Sequence, residues 1–353
     1  HEQPEDTLRS MFKAHIPMVT VSELGALPAL VREASGGRAL RRLLASLGIP
    51  TAVLDTPQAR IPMEAMIQLF DAAAREVGDD DFGLRVGRGT GLEDFGDWAA
   101  YAAGGRDLGA GIRRLCDTIW VHDTGSRMWL APKSSHVVWY HTTGLAVDCQ
   151  LRAYSDHLVK PMLDFVRAFL GDGWEPDWLE LDYPKPANCS AYAELITGPV
   201  VFGQAYLGVP VRRADLGATS QVADLLPRPV TSVDLMKYRT QRNTKPLEQL
   251  IDLIDLGFPD GRPTLDRTAR LLGVGPRALQ RGLSRNGTQF RTLLELARKR
   301  RAAALLLETE RPVKAIAGDL GYGEAENFTH AFRSWYGTSP TAFRAADRAP
   351  AGT

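Results

Sequence analysis

Residues 313–344 read VKAIAGDLGYGEAENFTHAFRSWYGTSPTAFR, and their spacing predicts two short helices around a tight turn. Val313, Ile316, Ala317 and Leu320 fall at helical intervals, and Gly321 then supplies the backbone freedom such a turn demands. From Glu324 to Tyr336 the apolar residues Phe328, Ala331, Phe332 and Trp335 recur three and four positions apart. That period leaves Glu326, Asn327, His330, Arg333 and Ser334 on other faces, all of them hydrogen-bonding types. Gly337 stops the helix, and Ser339-Pro340 opens a closing helix that carries Phe343 and Arg344.

The same design occurs earlier, in residues 264–285. Thr264 is expected to cap a helix whose stripe is Leu265, Ala269 and Leu272, and Gly273-Val274-Gly275 makes the turn. Pro276 stands at the next helix start, where its missing N–H costs nothing. That helix is expected to bury Leu279 and Leu283 while Arg277, Gln280, Arg281 and Arg285 face outward. Arg and Gln carry forked donors that match guanine and adenine edges in the major groove of DNA.

Between the two patterns, Gln289 to Glu308 holds Phe290, Leu293, Leu294, Ala297, Ala304 and Leu305 with no proline or glycine, which predicts one continuous helix. At about 1.5 Å per residue such a helix spans roughly 30 Å, close to the roughly 34 Å of one DNA turn. Two reading helices at that separation are expected to enter successive major grooves on one face of a duplex. Base reading is expected from Arg277, Gln280, Arg281, Glu326, Asn327 and His330, and phosphate contact from Arg285, Lys299 and Arg333. Only part of the first set is expected to touch bases, because most protein–DNA hydrogen bonds go to the backbone.

The run Ile316-Ala317, Gly321-Tyr322, Phe328, Phe332-Arg333, Tyr336-Gly337, Ser339-Pro340 and Phe343-Arg344 closely resembles the signature of the AraC/XylS transcription regulators. Leu279-Gln280-Arg281 and the Arg298 to Ala303 stretch resemble the first half of the same DNA-binding domain. The resemblance implies a bacterial regulator that binds double-stranded promoter DNA as a homodimer and works with RNA polymerase, more often as activator than as repressor. His330 stands where many relatives carry Arg.

A formal net charge of zero, taken alone, argues against a nucleic-acid partner, but the charge is unevenly spread. From Thr231 onward there are 20 Lys and Arg against 13 Asp and Glu, while the preceding residues hold 22 against 29. A basic reader joined to an acidic body is the pattern expected when only one end meets phosphates. The 353 residues, 44% hydrophobic, suffice for two domains of ordinary size. Cys116, Cys149 and Cys189 are far apart and lack metal-ligand spacing, so reduced core thiols are expected. No run approaches the roughly 20 apolar residues of a membrane helix and no signal peptide is visible, so a cytoplasmic, nucleoid-associated protein without a membrane partner is expected.

The expected organisation is a loose N-terminus at 1–20, a sensing and dimerisation domain at 21–209, a linker at 210–230, the reader at 231–346 and a tail at 347–353. Helical periods occupy Val21 to Leu47 with a turn at Gly36-Gly37, Ile61 to Val77 opened by Pro62, Asp107 to Val121, Leu151 to Leu170 and Ala191 to Ile196. Strands are expected at Met128 to Leu130 and His136 to His141 around the turn Pro132-Lys133-Ser134, and at Trp178 to Asp182 and Val200 to Phe202. The fold class is therefore an α+β N-terminal domain, with a small mixed, partly antiparallel sheet, followed by an all-α DNA-binding domain with two helix-turn-helix motifs. This body lacks the many short strands of a cupin-like sensor. Ile61-Pro62, Asp81 to Gly87 and Pro199 to Phe202 resemble instead the sensor of ornithine-utilisation and VirS-like regulators.

Trp98, Tyr101, Trp120, Trp139 and Tyr154 are expected to line a small-molecule effector pocket, the alternative being plain core use. His122-Asp123 and Asp156-His157 suggest a metal site, but structural use fits their spacing better. Gly87-Arg88-Gly89-Thr90-Gly91 lacks the lysine and spacing of a phosphate loop, and neither GxSxG nor HExxH occurs. No cofactor and no catalysis is expected; an enzyme or adaptor body delivered to DNA by the reader is the alternative.

Overall fold

A computed structural model describes residues 15–145, 151–221, 229–238 and 245–348, and the chain divides into two compact units. The body unit takes in residues 17–44 and 57–238; the reader unit takes in 15–16, 45–56 and 245–348.

In the body, β1 (Met18–Thr20) pairs antiparallel with β2 (Arg60–Pro62). These residues were expected to be loose at one end and helical at the other. The short run Met-Val-Thr is instead fully buried, and Pro62 closes a strand before the helix begins. Helix α1 (Leu27–Ser46) breaks at Gly36, whose φ of 81° only glycine adopts at little cost, at the expected turn. Helices α2 (Met63–Val77), α3 (Phe82–Arg88), α4 (Gly96–Ala103) and α5 (Leu108–Thr118) follow, the last capped by the Asp107 carboxylate accepting from the Ala110 N–H at 2.7 Å.

Strands β3 (Arg127–Lys133) and β4 (His136–Thr142) form a hairpin in which Lys133 faces His136. The turn therefore sits at Ser134-Ser135, one step beyond its expected place, with Ser134 at a φ of 54°. Helix α6 (Arg152–Leu170) is buried on almost every face and packs on α3, where a Cβ at Gly83 or Gly87 would lie 2.2 or 2.6 Å from carbonyls of α6. Those two glycines thus let the helix backbones touch.

Strands β5 (Leu179–Glu180), β6 (Val200–Val201) and β7 (Leu207–Arg212) complete a sheet of order β3-β4-β7-β5-β6, antiparallel except for the β5–β6 pair. Residues 210–212, expected in the linker, are the end of its middle strand, with Leu207, Val209 and Val211 buried. Gly208 is required there because the Tyr140 ring lies across it; a Cβ would meet that ring at 2.7 Å. Arg213–Gly217 of the expected linker form a 3-10 turn, while 222–228 lie outside the described residues, as do 1–14 and 349–353. Residues 234–238, expected to lead the reader, form a short 3-10 turn within the body unit.

The reader unit is helical: α7 (Pro246–Leu256), α8 (Leu265–Leu271), α9 (Pro276–Arg285), α10 (Phe290–Glu308), α11 (Val313–Asp319), α12 (Ala325–Tyr336) and α13 (Pro340–Arg348). The Thr264 hydroxyl accepts from the Arg267 N–H at 3.2 Å and caps α8. Thr264→Ala is expected to cost about 1 kcal/mol, read as a lowered denaturant midpoint of the full chain. Helix α10 buries Leu293, Leu294, Ala297, Ala302 and Leu306, so its core stripe ends on Leu306 rather than on the half-buried Ala304 and Leu305. Arg300 and Arg301 bind Asp252 and Asp255 of α7 at 3.3 and 3.0 Å.

This unit also holds residues 45–56, although helical period alone places them in the body. The Asp260 carboxylate accepts from the Thr51 N–H and hydroxyl at 2.6 and 2.8 Å and from the Ala52 N–H at 3.3 Å, capping the turn Thr51–Asp55. Asp260 also takes Arg267 at 2.8 Å. Gly48, at a φ of 72°, lies so close to α8 that a Cβ would stand 2.4 Å from the Arg267 carbonyl. Helical periods show that a stretch buries one face but not what covers it.

Candidate nucleic-acid interface and effector cavity

The two helix-turn-helix turns are built from the same bonds. After α8 the Gly273 N–H donates to the Arg270 carbonyl at 3.0 Å and the Val274 N–H to the Ala269 carbonyl at 2.9 Å. After α11 the Gly321 N–H donates to the Gly318 carbonyl and the Tyr322 N–H to the Ala317 carbonyl, both at 2.9 Å. Both are Schellman closures, and both place glycine at positive φ, 65° and 77°.

Each turn delivers a helix with a buried and an open face. Helix α9 turns Ala278, Leu279, Gly282 and Leu283 inward and leaves Arg277, Gln280, Arg281 and Arg285 exposed. Arg277, Gln280 and Arg281 are three and four residues apart and therefore share one face. Helix α12 buries Phe328 and Phe332 and leaves Glu326, Asn327, His330 and Arg333 exposed.

Lys299 differs from the other phosphate candidates. It is half-buried, its ammonium 4.9 Å above the Tyr336 ring, while its carbonyl accepts from the Tyr336 hydroxyl at 3.1 Å. Beside it Arg298 donates to the Leu320 carbonyl at 2.9 Å and lies 4.9 Å from the Tyr322 ring, so these cations fasten the second motif onto α10. Arg344 does the same at the other end, donating to the Leu306 and Arg311 carbonyls at 3.0 and 2.7 Å. Neither Arg298 nor Arg344 was singled out for this from sequence, since a helix-end carbonyl leaves no mark on the residue that caps it.

The body unit contains a partly open cavity. Trp98 and Trp139 line it. The other three aromatics do not. Tyr101 lies under the Arg114 guanidinium at 4.6 Å, Trp120 is half-buried with its carbonyl bound by Arg60, and Tyr154 is buried behind Glu23. Ring size and polarity marked these residues; which side of the wall each occupies depends on long-range packing.

Residues 37–219 match the family described as the arabinose-binding domain of AraC transcription regulators, N-terminal, and residues 268–346 match a helix-turn-helix domain. The chain belongs to the AraC family of transcription regulators. The HTH-type transcriptional regulator VirS of Mycobacterium tuberculosis is 24% identical over 300 residues, covering 84% of this chain and 88% of VirS. The ornithine utilization regulator of Pseudomonas aeruginosa is 24% identical over 338 residues, 93% of this chain and 97% of its own. The regulator VqsM of the same organism is 44% identical over 98 residues, 28% of this chain and 30% of VqsM. This AraC-family chain is a DNA-binding transcription regulator with a mixed α and β sensor-type domain, and among its described residues no helix is long and apolar enough to cross a membrane.

At one end of the regulator's cavity lies a polar cluster centred on Glu23, which no sequence motif marks. Its carboxylate is bound by His122 Nε2, by His157 Nε2 at 3.1 Å and by the Tyr154 hydroxyl at 3.1 Å. Burial alone would raise its pKa, but His122 and His157 outweigh that and hold Glu23 well below the usual carboxylate range. Trp98 stacks on His122 with ring centroids 5.1 Å apart. Burial pushes Asp123 up to about 6, partly offset by the Ser126 and Gly125 donors, and pushes His141 down to about 4. The His122-Asp123 and Asp156-His157 pairs are thus split: both histidines converge on Glu23. Asp156 instead accepts from Tyr183 and Tyr192 and is pushed by burial up to about 7. Among the described residues no group of three or more His, Cys, Asp or Glu is arranged to hold a metal ion.

Proposed function

We propose that the AraC-family reader places α9 and α12 in successive major grooves of promoter DNA. Arg277, Gln280 and Arg281 read bases in one element and Glu326, Asn327 and His330 in the other, while Arg285 and Arg333 meet phosphates and Lys299, held over the Tyr336 ring, braces α12. The observation that carries this reading is the pair of identical turns, each presenting an exposed hydrogen-bonding helix face from the same basic unit. The surplus of positive charge in that unit supports binding by counterion release. The body acts as sensor and homodimerisation domain, the cavity beside Glu23 takes a small effector, and the bound protein activates transcription with RNA polymerase in the cytoplasm.

Arg281→Ala is expected to cost about 1–3 kcal/mol in DNA binding and to relax specificity at one position of one half-element. Anisotropy titrations over a set of single-base operator variants check it. An equal loss on every variant would remove base reading from Arg281. Sedimentation of the full chain at micromolar concentration tests the dimer; a monomer with and without DNA would end that part of the reading.

A further inference from the structure

We propose that the cavity of the body unit binds an uncharged, largely apolar molecule carrying one hydrogen-bonding head, such as a hydroxyl or carbonyl, and selects against carboxylates and amines. This rests on the reading of the cavity as the effector site.

The walls are apolar, built chiefly from Leu92, Phe95, Leu115, Ile119, Leu158 and Met162. Neither lysine nor arginine lines the cavity, and His122 on its wall is already bound to Glu23, so an entering carboxylate finds no free countercharge. It meets Glu23 and Asp123 instead, both at the polar end, and burying an unpaired charge beside like charges is among the most costly events in a protein interior.

An ammonium head fares little better. Both oxygens of Glu23 are already engaged, Oε2 by His122 and Oε1 by His157 and Tyr154. Asp123 Oδ1 accepts from the Gly125 and Ser126 N–H groups, which only partly offset the burial that disfavours its charged form.

What remains open is neutral. Trp98, 6% exposed, lines the cavity and its Nε1 is buried without a hydrogen-bond partner. His141, 4% exposed, also stands on the lining. Burial keeps its imidazole uncharged, with one donor and one acceptor nitrogen. A hydroxyl or carbonyl between these groups satisfies a buried donor that otherwise goes unpaired, which is the usual source of polar selectivity in an apolar pocket.

The test compares n-octanol, octanoate and n-octylamine, which share one alkyl chain and differ in the head, on the full chain at pH 8. Tryptophan fluorescence is suited to it because Trp98 and Trp139 line the cavity. Octanol is expected to change the emission and raise the melting temperature, with octanoate and octylamine at least about tenfold weaker. His141→Phe is expected to erase most of that preference, and Leu158→Trp, which fills the cavity, to abolish octanol binding. Octanoate or octylamine binding as tightly as octanol overturns the proposal while leaving the effector site standing. Failure of all three to bind, or octanol binding that survives Leu158→Trp in a folded protein, overturns the effector-site reading itself. The wild-type comparison of heads decides the proposal even where a variant does not fold.

Discussion

Phe332→Ala is expected to destabilise the reader unit by about 3–5 kcal/mol and to remove sequence-specific DNA binding. Its side chain is fully buried and its ring lies 5.7 Å from Phe328, 4.7 Å from Tyr336 and 5.3 Å from Phe343, centroid to centroid. One side chain thus joins α12 to α13 and, through the Tyr336 hydroxyl on the Lys299 carbonyl, to α10. Truncation leaves a cavity among aromatic groups too rigid to collapse into it, which places the cost at the upper end of core substitutions. Denaturant unfolding gives the stability and anisotropy the affinity. A variant with the wild-type midpoint and operator affinity would show that α12 is not held by this ring cluster.

Glu23→Ala is the second large effect, with an expected cost of about 3–5 kcal/mol to the body unit, because it strands His122 and His157 in a buried site without their shared partner. Its pH dependence has a definite sign. Glu23 is held below its ordinary value of 4.5, so it stabilises the fold above that pH and the contribution is lost as the pH falls. His141, depressed from 6.5 to about 4, acts in the same direction: stability is complete above 6.5 and declines between 6.5 and 4 as the unfolded chain takes up the proton first. Asp123 and Asp156, raised from 3.8 to about 6 and about 7, work oppositely, adding stability as the pH falls through those values. The wild-type melting temperature should therefore hold or rise slightly between pH 7 and 5 and drop below pH 4.5. Glu23→Ala should flatten the drop, and an unchanged acid limb would remove Glu23 from this role.

The reader was legible because its determinants are local. Stripe, cap and turn glycine of each motif lie within one helical hairpin, and Gly273 and Gly321 proved to close the same pair of hydrogen bonds. In the body, the helices at 63–77 and 152–170 were legible by period. Strand β7 was not, because Gly208 and Pro210 have linker character until Tyr140 is known to lie against Gly208. Glu23 escaped notice for a similar reason: its partners are 99 and 134 residues away, and no local pattern marks a lone acid as their meeting point. The cavity was half legible, since Trp98 and Trp139 line it while Tyr154 serves Glu23 from behind.

The placement of residues 45–56 bears on how such a protein can be recombined. A gene segment starting at residue 231 encodes every helix of the two motifs, yet omits the stretch that Asp260 caps and Gly48 seats against α8. Grafted onto a foreign sensor, that segment carries an exposed seam where Thr51 belongs, and Arg267 and Asp260 are left to each other. The unit that folds together is therefore longer than the pair of motifs, and a graft that carries residues 45–56 along with the C-terminal third is expected to be more stable than one that starts at residue 231.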